Sequence, residues 1–285
     1  MSTQNHSDLQ DVTIERDVVY NQDPSRPLTL HLLRPRAPSA GPLPVIVYFF
    51  GGAFRHGSKE SGIEVLLPFA RRGYLCASVE YRLSGEVLFP TPIQDCKCAI
   101  RYLRAQSTAL GCDPERIGAC GQSSGGYMAI MLGVSEGVAD FEGAGGWSGW
   151  SSRVQAVCDW YGPTDFLQMD RAGSSMNHDS ADSPESQFIG GPIQDHQERT
   201  AQANPITYVT PERKIPPFLI VHGDQDPLVP FNQSELLAAA FDWVGADYRF
   251  HRVVGGGHGG ELFATSDVTQ LVDGFFDARL RPGTA

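Results

Sequence analysis

The residues most capable of chemistry lie in Gly121-Gln122-Ser123-Ser124-Gly125, which fits the pattern Gly-x-Ser-x-Gly. A short apolar run precedes the pattern, and a helix-like stretch follows it. A serine on so sharp a strand-to-helix turn is lifted clear of the sheet, beside helix N–H groups that can face a developing negative charge. A Ser/Gly-rich turn without chemistry is the alternative. The strand and helix on either side favour Ser123 as a nucleophile.

A serine hydroxyl needs a base, and the base needs a carboxylate that orients it. His258 lies among five glycines within residues 255–260, where it has no apolar surface to pack against. A role in filling the core is therefore a poor explanation for this histidine. We assign His258 as the base.

Two acids follow the apolar run at 217–222 and are candidates for the orienting carboxylate. Asp224 comes directly after Gly223 and suits a turn in which its side chain bonds backbone N–H groups. Asp226 precedes a proline that fixes the loop, and it is the predicted acid. That both acids only shape the turn stays open, and Asp165, after an earlier strand, is a third candidate.

A Gly-rich turn ends the first central strand of the predicted sheet, in the run Val-Tyr-Phe-Phe-Gly-Gly-Ala-Phe. The N–H groups of Gly52, Ala53 and Ser124 are the predicted donors of an oxyanion hole. The turn is similar to the His-Gly-Gly-Gly loop of esterases and lipases, but Phe50 stands where that loop has histidine. The donors do not need the imidazole, so we expect the hole to form with a different anchoring of the loop.

The other histidines carry weaker signals. His222 is predicted to be a buried structural residue, and His56 to lie where it can touch a substrate. Two more lie in strand patterns (His31 and His251), and three are predicted to be exposed (His6, His178 and His196). Asp179, Asp182 and Glu185 are interpreted as a solvated face rather than a calcium site. With no metal-binding motif and no nucleotide-binding glycine spacing, no metal and no cofactor are expected.

The elements that must position these residues alternate between strand and helix. Two period-2 stretches, 11–20 and 28–35, predict an antiparallel pair, and the continuous apolar run at 44–50 predicts a strand buried on both faces. Further strands are predicted at 74–80, 117–120, 154–160, 217–222 and 248–254, and helices at 61–72, 92–110, 124–133, 232–244 and 266–280. This alternation is typical of a mostly parallel sheet with helices on both faces.

Composition limits the classes of partner. The chain has 285 residues, 41% of them hydrophobic and 19% charged, and a net charge of −11. Such a chain repels nucleic acids and anionic membranes at long range, so neither is an expected partner. The polar N-terminus lacks a secretory pattern, which favours a cytoplasmic location unless a signal peptide was removed. Six scattered cysteines are interpreted as buried reduced thiols.

We expect one domain over residues 1–285, as a monomer or homodimer. The irregular segment 163–216 is rich in Asp, Ser, Gly, Gln and Pro and is only weakly periodic. Such a segment within an α/β domain usually lies over the carboxyl edge of the sheet. It is therefore predicted to be a cap or substrate loop.

With Ser123, Asp226 and His258 in this order, the chain resembles the α/β-hydrolase superfamily over roughly its whole length. It looks most like the esterase/lipase group that includes bifunctional feruloyl and acetyl-xylan esterases; segments that carry the resemblance include VIVYFFGGAF, GQSSGGYMA and FLIVHGDQDPLVP. The resemblance implies an α/β-hydrolase fold, the triad and ester hydrolysis, but not the substrate.

On this basis the sequence predicts a serine carboxylic ester hydrolase for short-chain acyl or carbohydrate-linked acetyl and feruloyl esters. A serine amidase, such as an arylformamidase or acylaminoacyl-type peptidase, is the alternative, and a non-catalytic receptor or scaffold is a third possibility. Four aromatic residues near strand ends are candidates for the walls of the substrate pocket: Phe50, Phe54, Trp160 and Tyr161.

Overall fold

The computed structural model describes residues 11–281, which contain one eight-stranded sheet. The strands are β1 (Val12–Asn21), β2 (Leu28–Pro35), β3 (Leu43–Phe49), β4 (Leu75–Val79), β5 (Cys112–Gln122), β6 (Ala156–Trp160), β7 (Phe218–Gly223) and β8 (Tyr248–Val253). Their order across the sheet is β1-β2-β4-β3-β5-β6-β7-β8. The β1–β2 and β2–β4 pairs are antiparallel, and all the other pairs are parallel.

Helices cover both faces of this sheet. They are α1 (Gly62–Arg71), α2 (Thr91–Ala105), α3 (Ser107–Leu110), α4 (Ser124–Val134), α5 (Ala139–Glu142), α6 (Pro184–Ile189), α7 (Gln197–Ala203), α8 (Asn232–Val244) and α9 (Ser266–Leu280). Helices α1 and α9 meet on one face, where the rings of Phe69 and Phe276 are 5.8 Å apart. Helices α2, α4 and α8 lie on the other face. The predicted α/β fold is confirmed.

The core explains why the apolar runs form strands. From Pro44 to Phe49 every residue of β3 is buried, as a strand covered by helices on both faces requires. All six cysteines are buried with free thiols. No helix among residues 11–281 is long and apolar enough to span a bilayer.

The structure refines two of the predicted elements. The helix expected over 92–110 ends at Ala105, and the separate turn α3 follows it before Gly111, which adopts a φ of 66°. The strand expected at 117–120 is longer, because Cys112 already pairs with Leu43 of β3.

The segment 163–216 is more ordered than its composition indicated. It contains α6 and α7, and several of its apolar side chains, Phe166 and Phe188 among them, are buried. Phe188 stacks on Phe54 with ring centroids 4.3 Å apart, and Phe166 stacks on Tyr127 at 5.4 Å. Because Phe54 follows the end of β3 and Tyr127 lies in the first turn of α4, the segment packs over the carboxyl edge of the sheet.

Strand β6 carries an acid in the interior of the protein. Asp159 is fully buried; its Oδ1 accepts a hydrogen bond from Gly162 N at 2.9 Å. No partner is found for its Oδ2 among residues 11–281. Burial raises the pKa of Asp159 to about 8, although the Gly162 hydrogen bond lowers it. The side chain is therefore a neutral acid at pH 7.

This raised pKa predicts a specific pH dependence of stability. Between pH ~4, where an unfolded aspartate ionises, and pH ~8, the folded state keeps a proton that the unfolded state loses, so this group makes the protein less stable as the pH rises. Asp159→Asn removes that contribution. In urea unfolding, we expect the difference in the free energy of unfolding, variant minus wild type, to increase by on the order of 2–4 kcal/mol from pH 5 to pH 8. An equal difference between the two proteins at both pH values would contradict the assignment.

Candidate active site

Ser123 lies on a strained turn between β5 and α4. Its φ is 55° and its ψ −123°, values that a residue with a side chain rarely adopts. Two hydrogen bonds hold the turn: Ser123 N donates to Trp160 O at 2.9 Å, and Ser123 O accepts from Tyr127 N at 3.0 Å. A Cβ at Gly121 would lie 2.2 Å from Gly125 O, so the turn closes only with glycine there.

The predicted base and acid lie beside this serine. His258 Nε2 is 2.9 Å from Ser123 Oγ, and His258 Nδ1 is 2.7 Å from Asp226 Oδ2. With Nδ1–H donating to the carboxylate, Nε2 is free to accept the serine proton. The imidazole also packs against Tyr161, with ring centroids 4.7 Å apart. The structure thus brings Ser123, His258 and Asp226 into a continuous hydrogen-bonded chain.

Asp226 is buried and held on both oxygens. Its Oδ1 accepts from Leu228 N at 2.8 Å and from Val229 N at 3.0 Å. Its Oδ2 faces His222 Nε2 at 3.1 Å as well as His258. Burial raises the pKa of Asp226, but the hydrogen bonds from His222 and His258 outweigh it and lower the pKa to about 2. The carboxylate is therefore ionised at neutral pH.

His222, predicted to be only structural, is a second histidine on this acid. Its Nδ1 lies 2.7 Å from Ser234 Oγ, and its Nε2 also lies 3.0 Å from Val229 O. Because both partners of Nε2 are acceptors, we place the proton there, and Nδ1 accepts from the Ser234 hydroxyl. His222 therefore helps to orient Asp226 through the same carboxylate oxygen that faces His258.

The other two acids lie elsewhere in the hydrogen-bond network. Asp224 accepts from Arg252 Nε at 2.7 Å and from Gly255 N at 2.8 Å, so it shapes the approach to the glycine-rich loop. Asp165 accepts from Leu167 N at 3.1 Å and from Asn204 Nδ2 at 2.7 Å, which stabilises the start of the segment 163–216. Neither acid is hydrogen-bonded to His258.

The predicted oxyanion donors line the same cavity as Ser123. Gly52 has a φ of 139° and Ala53 a φ of 54°, a turn that leaves their N–H groups without a protein acceptor within residues 11–281, and the same holds for Ser124 N–H. Tyr81 provides the different anchoring expected from Phe50: its ring stacks on Phe50 at 4.4 Å, and its hydroxyl donates to Phe50 O at 2.6 Å.

The cavity above Ser123 has a volume of about 410 Å³. Of the four predicted wall residues, Phe54 and Tyr161 line it, but Phe50 and Trp160 do not. Phe50 is buried against Tyr81, and Trp160 packs on Phe263 with ring centroids 6.0 Å apart. The prediction was wrong for these two because each ring packs on an aromatic side chain that is distant in the sequence, which a position near a strand end does not reveal.

Two further cavity residues were misplaced by the sequence analysis. His178 and Glu185, predicted to be exposed, are 2% and 4% exposed and line the cavity. Helix α6 gives a signal that was available: Ser183 caps it, and Glu185, Phe188 and Ile189 recur at helical spacing on its buried face. His56 lines the cavity as expected.

The remaining polar predictions fall outside the cavity. His31 is buried, His251 half-buried and His196 exposed, whereas His6 lies outside the described residues. Asp179 and Asp182 are exposed, as expected of a solvated face. Across residues 11–281, no group of three or more His, Cys, Asp or Glu side chains is arranged to hold a metal ion.

A strained serine, a histidine and a buried carboxylate at the carboxyl edge of this sheet define an α/β-hydrolase with a serine-hydrolase type of site. The BD-FAE family matches residues 30–241, and the chain belongs to this family of α/β-hydrolase esterases. The predicted family resemblance is thereby confirmed.

Individual relatives agree with the family. The esterase LipC of Mycobacterium tuberculosis is 32% identical over 253 residues, which are 87% of this chain and 60% of that protein. The probable carboxylic ester hydrolase LipM of the same organism is 29% identical over 202 residues, 70% of this chain and 45% of LipM. The chain thus spans about half the length of the curated relatives it matches.

Solved structures match nearly the whole chain. A truncated carbohydrate esterase from gut microbiota superposes with a TM-score of 0.84 at 30% identity, covering 94% of this chain and 96% of that one. The butyrate-bound esterase Est2 of the Planctomycetes species Thermogutta terrifontis gives a TM-score of 0.76 at 25% identity, covering 96% of this chain and 97% of Est2.

The geometry predicts which acid activates Ser123. Asp226→Asn removes the charge that holds Nδ1–H on His258, so we expect the rate at which a fluorophosphonate probe labels Ser123 to fall by about 10³–10⁴-fold. Asp224→Asn is the matched control, because its carboxylate pairs with the exposed Arg252 and not with His258. Its labelling rate should stay within about threefold of wild type. The opposite ranking of the two variants would reassign the acid.

Proposed function

We propose that this protein is a serine carboxylic ester hydrolase. The observation that carries the proposal is the hydrogen-bonded chain from Ser123 through His258 to an ionised, buried Asp226, open to a cavity of about 410 Å³. A serine, an imidazole and a carboxylate in this arrangement activate the hydroxyl for attack on an acyl carbon. The family to which the chain belongs and its esterase relatives support the same chemistry.

The reaction takes two acyl-transfer steps. Ser123 Oγ attacks the ester carbonyl carbon while its proton passes to His258 Nε2, and the carbonyl oxygen becomes an oxyanion. Collapse of this intermediate breaks the bond to the alkoxy oxygen, which leaves as the alcohol with the proton from His258. Water then attacks the acyl carbon and gives a proton to the same imidazole. Collapse of this second intermediate breaks the bond to Ser123 Oγ, which takes the proton from His258 as the acid is released. Asp226 stays ionised and stabilises the imidazolium in both steps.

The oxyanion of each step is stabilised by backbone donors. The N–H groups of Gly52, Ala53 and Ser124 belong to the cavity that holds Ser123 Oγ. The Gly52–Ala53 turn is held by hydrogen bonds from Arg55 N and His56 N to Gly52 O, at 3.0 and 2.9 Å. Donors that are held in place before the reaction stabilise the transition state more than donors that must reorganise. Loss of one such donor costs about 3 kcal/mol of transition-state stabilisation.

We infer that the substrates are small esters with short acyl groups, including carbohydrate-linked ones. Phe54, which stacks on Phe188, lines the cavity beside the oxyanion turn, and acyl and alcohol groups share its volume of about 410 Å³. Two solved structures support this inference: one is a carbohydrate esterase, and the other was determined with butyrate bound. The partner expected in solution is thus a small-molecule or carbohydrate ester.

The proposal predicts that activity depends on Ser123. Ser123→Ala should abolish hydrolysis of p-nitrophenyl acetate and fluorophosphonate labelling, with the unfolding midpoint within about 2 °C of wild type, because only a cavity-facing hydroxyl is lost. Ser148→Ala, at an exposed position, is the control and should retain activity. Activity retained in Ser123→Ala would show that Ser123 is not the nucleophile. Faster turnover of formylkynurenine or an acyl peptide than of esters would instead assign an amidase.

The size of the cavity predicts a preference for short chains. With p-nitrophenyl esters, we expect kcat/KM to be highest between acetate and butyrate and at least tenfold lower for dodecanoate, because the added methylenes find no enclosed apolar surface. Initial rates across the series, each measured below the critical micelle concentration, test this expectation. A kcat/KM that rises steadily with chain length would contradict it and indicate a lipase-like acyl channel.

A further inference from the structure

A second polar pair lies in the substrate cavity, apart from the triad. His178 and Glu185 are both buried in the wall that the segment 163–216 contributes. His178 Nδ1 lies 2.9 Å from Glu185 Oε2. The mechanism of ester hydrolysis described above uses neither residue.

Further hydrogen-bond partners hold His178 on the side away from Glu185. His178 Nε2 lies 3.0 Å from Leu228 O and 2.9 Å from Ser174 Oγ, so the imidazole has a partner on each nitrogen. Burial lowers the pKa of His178, but the hydrogen bond and charge of Glu185 outweigh it, and the net shift raises the pKa. The two ring nitrogens face a carboxylate oxygen and a carbonyl oxygen, and His178 Nδ1 fixes one carboxylate oxygen of Glu185.

The other carboxylate oxygen has no such partner. Within residues 11–281, no hydrogen bond to Glu185 Oε1 is found. Much of the surrounding wall is apolar, with Phe54, Met176, Pro184 and Leu228 among its members. A substrate that fills the cavity and leaves this oxygen unpaired binds less favourably. A substrate that brings a hydrogen-bond donor to it avoids that cost in binding free energy.

We propose that Glu185, positioned by His178, is a recognition residue for a hydroxyl group of the ester substrate. This inference rests on the proposed esterase function and extends it to the chemical class of substrate. A hydroxyl donates to the carboxylate through a charge-assisted hydrogen bond, which is stronger than one between neutral groups. The same carboxylate disfavours esters that carry a negative charge at this position. The hydroxyl lies on the alcohol, as in a sugar or polyol ester, or on the acyl group, as in a hydroxycinnamoyl ester.

Two substrate pairs that differ by hydroxyl groups test the proposal and separate these sources. Glycerol monoacetate against propyl acetate varies the alcohol, and methyl 4-hydroxy-3-methoxycinnamate against methyl 3,4-dimethoxycinnamate varies the acyl group. In wild type, the hydroxylated member of one pair should have the higher kcat/KM. In Glu185→Gln, the ratio within that pair should fall about tenfold, because the charged acceptor is lost. A wild-type ratio at or below one in both pairs would overturn the proposal.

A matched control separates recognition from stability. Glu198→Gln changes an exposed carboxylate of α7 in the same segment and should leave both ratios at their wild-type values. Glu185→Asp, which withdraws the carboxylate by one methylene, should lower the ratio in the same pair and provides a second variant if Glu185→Gln does not fold. An equal loss of kcat/KM for both members of each pair would show a structural role only. If the proposed function itself is wrong, wild type hydrolyses none of the esters.

Discussion

The buried carboxylate of Asp226 is the constraint on which the rest of the site depends. An ionised group inside a protein is costly unless hydrogen bonds replace its water. Here two backbone N–H groups, from Leu228 and Val229, bind one oxygen, and His222 and His258 bind the other. This arrangement keeps the pKa of Asp226 low and holds its carboxylate against the His258 imidazole.

The parallel sheet brings distant parts of the chain to this carboxylate. Ser123 follows β5, Asp226 follows β7 and His258 follows β8, so all three lie at the same edge although 135 residues separate Ser123 from His258. The loops after these strands hold the three side chains of the site, while the buried strands contribute to the stability of the fold. The strain at Ser123 is offset by hydrogen bonds on both sides of the turn, one to Trp160 O at the end of β6 and one from Tyr127 N in the first turn of α4.

Sequence reasoning predicted what local chemistry determines. The helices predicted at 232–244 and 266–280 from periodicity agree with α8 and α9. The turn that carries Ser123 was predicted from its flanking glycines, which are needed because a Cβ at Gly121 would clash with the backbone. Sequence reasoning misplaced what depends on packing between distant segments. His178 lies in a polar stretch that is typical of a solvated loop, but in the fold it is buried and bonded to Glu185 and to Leu228 O. Phe50 was misassigned for the same reason, since its partner Tyr81 is 31 residues away.

The loop after Asp226 connects the Asp226 carboxylate to the cavity wall that carries His178. The N–H groups of Leu228 and Val229 in this loop bind the Asp226 carboxylate, while the carbonyl oxygens of the same two residues bind His178 and His222. The backbone of this loop is therefore fixed from the segment 163–216 on one side and from β7 on the other. It follows that the wall carrying His178 is not an independent cover over the cavity. A change that displaces it also displaces the donors that keep Asp226 ionised, so substrate recognition and nucleophile activation share one support.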